Sequence, residues 1–177
     1  MASNLPRFEE LLEAHHDEIY AYLWRLLDGA SHADAAIEAQ DLAQDTFMRA
    51  YKAYSRLPGD SNPRAWLYKI ATNGAMSLMR RNGRSTSLSD DDFDEPPVPS
   101  HVMPEPQAIF KQSVDAVRDA SADLPVKQRA ALVLRYIHEM EYDEIAVAIG
   151  SSEDSACANV YQALKRLRVV LGDNDEN

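Results

Sequence analysis

The chain has 177 residues, 45% apolar and 27% charged, with a formal net charge of −11. Those proportions fit a folded protein able to bury one core or two small ones, and exclude a disordered chain. The single cysteine, Cys157, rules out an internal disulfide and a Cys-rich zinc site, and reads as a free, half-buried thiol. No stretch approaches the ~20 apolar residues that cross a bilayer, and the N-terminus lacks a signal-peptide layout, so the expectation is a cytoplasmic protein without membrane insertion.

The first predicted helix carries Phe8, Leu11, Leu12, His15, Ile19, Tyr22, Leu23 and Leu26 at three- and four-residue steps, and ends near Gly29. A second runs from about Ala36 to Tyr54, with Ile37, Leu42, Phe47, Ala50 and Tyr51 expected on its apolar side. Its other face presents Asp41, Gln44, Asp45 and Met48, an acidic and amide-bearing surface. Such a face suits a partner that offers arginines, and suits plain solvent equally well.

A turn at Leu57-Pro58-Gly59-Asp60 leads to a third helix, with Asn62 as N-cap and Pro63 at the first helical position. From Thr46 to Arg84 there are eight Lys or Arg and one Asp, a basic island in an acidic chain. On a helical wheel Leu67, Ile70, Ala71, Gly74 and Leu78 face a core, while Trp66, Lys69, Asn73, Ser77, Arg80 and Arg84 face away. An aromatic plane, an amide and several cations are what unpaired nucleic acid requires for stacking, base-edge contact and phosphate contact. The alternative is a solvated face with one Trp tucked against a neighbouring helix.

Residues 85–106 hold five of the nine prolines and six acids without a base, and read as an acidic linker between domains 1–84 and 107–177. The second domain begins with a helix near Gln107–Ala120, followed by Pro125–His138, Tyr142–Ile149 and Glu153–Leu171. Gly150 suits a left-handed helix C-terminus and Ser152 an N-cap, which makes the last pair a helix-turn-helix pattern with a four-residue turn. The fold class is therefore all-α, two small helical domains. Catalytic and metal patterns are missing: His15-His16 point apart on a helix, and His138-Glu139 has Tyr142 where a zinc motif needs its second His. Neither an enzyme nor a cofactor is expected.

Several motifs in order resemble the extracytoplasmic-function (group IV) sigma factors of the sigma-70 type. Phe8-Glu9-Glu10-Leu11-Leu12 to Leu27 is similar to the opening of region 2, and Asp41 to Phe47 (DLAQDTF) to its D-L-x-Q-[DE]-x-F motif. Asn62 to Asn73 (NPRAWLYKIATN) resembles the promoter-melting segment. Leu124 to Arg129, Leu134-Arg135-Tyr136 and Tyr142 to Ala146 resemble region 4. The resemblance implies core RNA polymerase as partner, with Asp41, Leu42, Gln44, Asp45 and Met48 on the clamp helices of its largest subunit and region 4 on the flap of the second-largest.

It further implies that Arg56, Asn62, Arg64, Trp66, Lys69, Asn73, Arg80, Arg81 and Arg84 grip the −10 element of promoter DNA. Ser152, Ser155, Asn159, Gln162, Lys165, Arg166 and Arg168 would read the −35 element. An anti-sigma factor or other regulatory protein is a further implied partner. The sequence departs from the family in two places. The connection from Gly29 to Asp41 is longer, which is expected to lengthen a surface loop. The recognition helix has two acids and no base before Lys165, which implies weak duplex contact. Two other functions share much of this pattern: an adaptor or decoy that binds polymerase or a regulator, and a helix-turn-helix repressor. The second is disfavoured because a repressor has no use for a strand-melting surface.

Overall fold

Seven helices and no strand are found in the computed structural model, which describes residues 5–28, 32–83 and 114–172. The N-terminal half holds α1 (Phe8–Leu27), α2 (His32–Tyr54) and α3 (Pro63–Arg81). The C-terminal half holds α4 (Val114–Ala122), α5 (Val126–Tyr136), α6 (Tyr142–Ile149) and α7 (Glu153–Gly172). The expected linker 85–106, residues 107–113 of the expected fourth helix, and Arg84 lie outside the described residues.

Local chemistry accounts for most helix ends. The Glu10 carboxylate accepts from Arg7 N at 3.1 Å to start α1, and Asn62 Oδ1 accepts from Ala65 N at 3.1 Å to start α3. Gly150 ends α6 at φ 65° and ψ 48°, where a Cβ would be strained, and Ser152 Oγ accepts from Ser155 N at 3.1 Å to start α7. The turn between α6 and α7 is thus three residues, Gly150 to Ser152, as the expected helix bounds imply and one fewer than the four counted for the pattern.

Two sequence expectations are corrected. The residues expected to lengthen a loop before Asp41 are helical instead: α2 begins at His32 and carries Asp34 in its first turn. Ala35 and Ala39 are buried, so this added segment has a core face of small, helix-favouring residues. Ile37 and Tyr51, placed on the apolar side of that helix, are 62% and 67% exposed, whereas Leu42, Phe47 and Ala50 are buried as expected. The buried stripe of α2 combines Ala35, Ala39, Ala43 and Ala50 with Leu42, Thr46 and Phe47, and Ile37 and Tyr51 lie off it.

α1, α2 and α3 pack on one another, and α5, α6 and α7 do likewise, with α4 against α7. Gly74 marks the tightest approach in the first half: a Cβ there would lie 2.9 Å from Leu42 Cδ1 on α2. The two halves also touch, α3 against α6 and α1 against α5. That extra partner widens the buried arc of α3 beyond the expected sector. Tyr68, Thr72, Ala75 and Met79 join Leu67 and Ala71 in the interior, while Ile70 and Leu78 are half-buried. Tyr22 Oη and Thr72 Oγ1, both buried, satisfy each other at 2.7 Å.

Candidate nucleic-acid interface

α3 presents its open basic face from Lys69 to Arg81. Lys69, Asn73, Arg80 and Arg81 are exposed, and Arg56 is exposed on the turn before it. Arg80 Nη2 donates to Ser77 Oγ at 3.2 Å, which holds its side chain along the helix. Trp66 is half-buried, its ring 6.0 Å from that of Tyr54 and tilted by 44°. It therefore combines the two readings left open by the wheel: one part rests on α2, and the remainder is available for stacking.

The N-terminal end of α3 is engaged differently. Asn62 Nδ2 donates to Glu144 Oε1 at 2.7 Å, and Arg64 Nη2 donates to the His138 carbonyl at 2.9 Å. Arg64 Nε also meets Glu18 Oε2 at 3.3 Å, with the guanidinium 5.7 Å from the Tyr68 ring centroid. The predicted set thus divides: Arg56, Lys69, Asn73, Arg80 and Arg81 stay open, whereas Asn62 and Arg64 are held by the C-terminal half.

Glu18, Tyr68 and His138 form the polar centre of that junction and were given no role by the sequence. Tyr68 Oη lies 2.9 Å from His138 Nδ1 and 3.3 Å from Glu18 Oε2. The direction that satisfies most groups is His138 Nδ1–H to Tyr68, then Tyr68 O–H to the Glu18 carboxylate. Burial holds the His138 imidazole down to about 4; Glu18 opposes this, and the charges of Arg25 and Arg64 reinforce it. Burial alone would raise the Glu18 carboxyl, but its His15 hydrogen bond and the Arg64 charge outweigh it and hold it below 4.5. Burial, then Glu18, push the Tyr68 phenol up, so it stays protonated.

Beside this face, α1 and α2 enclose a groove of about 540 Å³, lined in part by Leu12, His16, Gln44, Phe47, Met48 and Tyr51. Its floor is aromatic, with His16 stacked 5.9 Å from Phe47, and its lip is the 54%-exposed Met48. Asp41 and Gln44 are exposed, and Asp45 is ion-paired with Arg49 at 2.7 Å, one turn away. Leu42 is buried under Gly74 and so supports this face from within rather than forming part of it. The contribution of α1 to the groove was missed, although its three- and four-residue apolar spacing placed Leu12 on the correct helix face.

α7 is less suited to duplex DNA than its position in a helix-turn-helix suggests. Glu153 and Asp154 occupy its exposed first turn, and Lys165, Arg166 and Arg168 are exposed at the far end. Asn159, expected to read a base, is only 1% exposed and donates to the Ser155 carbonyl at 2.8 Å. It lies on the buried stripe with Ala156, Val160 and Ala163, three to four residues apart, which fixes it inward. Ser155 and Gln162 are half-buried and Ser152 is exposed. Lys165 and Arg166 also flank an apolar groove of about 420 Å³ against α4, which includes Leu124, Val169 and Val170. Cys157 is half-buried, as expected, and burial raises its thiol. Among the described residues there is no group of metal-capable side chains, and no helix is long and apolar enough to cross a membrane.

Two family models match the chain: Sigma-70 region 2 over residues 11–85, and Sigma-70, region 4 over residues 115–167. The RNA polymerase sigma-H factor of Pseudomonas aeruginosa is 30% identical over 77% of this chain and 74% of its own length. The chain belongs to the sigma-70 family. Several relatives within it are named as extracytoplasmic-function (ECF) sigma factors. The ECF RNA polymerase sigma factor SigE of Mycolicibacterium smegmatis is 31% identical over 94% of this chain. The chain spans 62% of the length of that relative. Among solved structures, the sigma factor RpoE of Bartonella quintana, in complex with the anti-sigma factor NepR, is 25% identical with a TM-score of 0.68. That match covers 95% of this chain and 98% of the other. Members of the family are transcription initiation factors and not enzymes.

Proposed function

We propose that this sigma factor binds core RNA polymerase through the α1–α2 groove and the acidic face of α2, and directs promoter-specific initiation by holding unpaired −10 DNA on α3. One observation carries the reading. A single helix aligns a half-exposed Trp66 with exposed Lys69, Asn73, Arg80 and Arg81 in a chain of net charge −11. The aromatic face supplies sequence-tolerant stacking, the cations supply phosphate contact, and the amide can reach a base edge. The lip of Met48, beside exposed Asp41 and Gln44, offers an apolar slot with charge-assisted bonds at its rim, which suits a basic helical partner. A role for the second groove, between α4 and α7, as the contact for the polymerase flap belongs to the same reading, as does the expectation of an anti-sigma partner.

The acidic first turn of α7 and the buried Asn159 favour a second reading, an adaptor or decoy that engages polymerase without a stable upstream contact. Abortive-initiation transcription with purified core polymerase and a promoter library separates the two. Short transcripts from a defined set of promoters support the initiation factor; core binding without transcripts supports the adaptor. Asp45→Arg is expected to weaken core binding at least tenfold, since it reverses a charge at the rim with the helix intact. Unchanged affinity would sink the docking assignment.

A further inference from the structure

A half-exposed indole on a helix surface has no orientation of its own. Its side chain can occupy several staggered rotamers, and a stacked base fits few of them. Whatever fixes Trp66 therefore fixes the geometry in which a base can be held. Trp66 stands in the first turn of α3, with Lys69 and Asn73 on the turns that follow. Among the described residues one ring meets it, that of Tyr54, with centroids 6.0 Å apart and planes tilted by 44°. Tyr54 is the last residue of α2 and is half-buried.

Tyr54 is itself held at two points. Its Oη donates to the Pro6 carbonyl at 2.6 Å, which ties the ring tip to the chain just before α1. Phe8, the first residue of α1, sets its ring against Tyr54 at 5.4 Å and 65°, an edge-to-face contact. Burial, and then the Glu10 carboxylate, raise the Tyr54 phenol, so it remains a donor to Pro6 at neutral pH. A ring with its tip bonded and its body packed has little freedom left, and a neighbour that leans on it shares that order. Tyr54 fills no deep void: it is only half-buried and its bond to Pro6 lies at the surface, so it supplies direction more than packing. Phe8 also meets Tyr51 at 5.3 Å. The rings of Tyr51, Phe8, Tyr54 and Trp66 thus form a row from the α1–α2 groove to the open face of α3. Phe8 and Tyr51 line that groove whereas Tyr54 and Trp66 do not, so the latter two can be altered without removing a wall of it.

We infer that Tyr54 is a positioning residue for promoter melting: it fixes the plane of Trp66, so that α3 meets an unpaired base with its indole already oriented. The inference rests on the reading of α3 as a DNA surface. Without Tyr54 the indole must be ordered at the moment DNA binds, and ordering one such side chain weakens binding by about fivefold.

The test uses the full chain in a Trp24→Phe background, which leaves Trp66 as the sole tryptophan. Time-resolved fluorescence anisotropy of the free protein reads the motion of the indole. Permanganate reactivity of −10 thymines, in complexes with core polymerase and promoter, reads melting. Tyr54→Ala is expected to add a fast component to the anisotropy decay and to lower thymine reactivity about fivefold, with core binding changed by less than about twofold. Tyr54→Phe keeps the ring and its contact with Phe8 but loses the Pro6 bond, and is expected to recover about half of the lost reactivity or more. Circular dichroism reports whether each variant keeps its helices. Four results overturn the assignment: an indole that stays rigid in Tyr54→Ala, an indole that moves freely with full thymine reactivity, a Tyr54→Phe no better than Tyr54→Ala, and a loss of core binding equal to the loss of reactivity. Trp66→Ala, footprinted alongside, keeps the two claims apart. If it lowers reactivity while Tyr54→Ala does not, the positioning role fails and the DNA surface stands; if it has no effect, the DNA surface itself fails.

Discussion

The His138 imidazole is held neutral by burial at the junction, and this gives the molecule a pH dependence that a single substitution can isolate. Its folded value, about 4, lies below the ordinary 6.5, so the unfolded or opened form binds the extra proton. The stabilisation is complete above about 6.5 and is lost as pH falls toward 4, with an upper bound of about 3 kcal/mol. Thermal denaturation between pH 7 and 4 is expected to show this loss in the native chain and a shallower one in His138→Gln; parallel curves would contradict it. The sequence made His138 visible only as half of a zinc pattern that Tyr142 breaks. What it does depends on Tyr68, seventy positions away, and no local spacing reports a contact of that range. Asn159 is the converse case: its amide suggested base reading, but its place on the inward stripe of α7 was already set by the three- and four-residue rhythm of its neighbours.

At the level of elements, helix starts and stops were the most legible features, because caps act within four residues. Asn62-Pro63, Gly150 and Ser152 each stand where the expected end occurs. The start of α2 was misplaced because small residues after Gly29 read equally well as a loop and as a helix face, and only burial of Ala35 and Ala39 decides between them. Arg129 shows how element ends are tied together across the molecule. Its guanidinium donates to the Ser121, Ala122 and Leu124 carbonyls at the end of α4, and to the Leu26 carbonyl at the end of α1, 2.6 Å away. These carbonyls lie at or just beyond helix C-termini, where orphan acceptors gather, and the charge suits both helix dipoles. Arg129→Met keeps the bulk but removes all four bonds, and only the Ser121 carbonyl keeps a further donor, Leu124 N, among the bonds seen. It is expected to destabilise by about 3 kcal/mol, read as a fall in Tm on the order of 10 °C. A loss below about 1 kcal/mol would mean that water replaces it, and that the tie matters little.

Across the whole molecule, segregated charge proved a better guide to surfaces than composition did. The basic run from Thr46 to Arg84 sits inside an acidic chain and maps, among the described residues, onto the last turns of α2, the turn that follows and α3. The division into two helical halves was legible from the proline-rich, acidic segment between them and agrees with the two family matches. Contact between those halves was not legible, since it joins polar side chains of α1, α3 and α6 that each look like ordinary surface residues in isolation. Under the function proposed, with Asn159 buried and acids at the start of α7, α3 would carry most of the direct hold on DNA, with Trp66 as its only aromatic plane on the open side.

The most direct test is therefore permanganate footprinting of unpaired thymines in complexes of core polymerase, promoter and this protein, with native Trp66 and with Trp66→Ala. Trp66→Ala is expected to lose thymine reactivity at the −10 element by about tenfold or more while core binding changes by less than about twofold. Equal losses of core binding and melting would contradict it, and would make Trp66 a packing residue of the Tyr54 contact and nothing more.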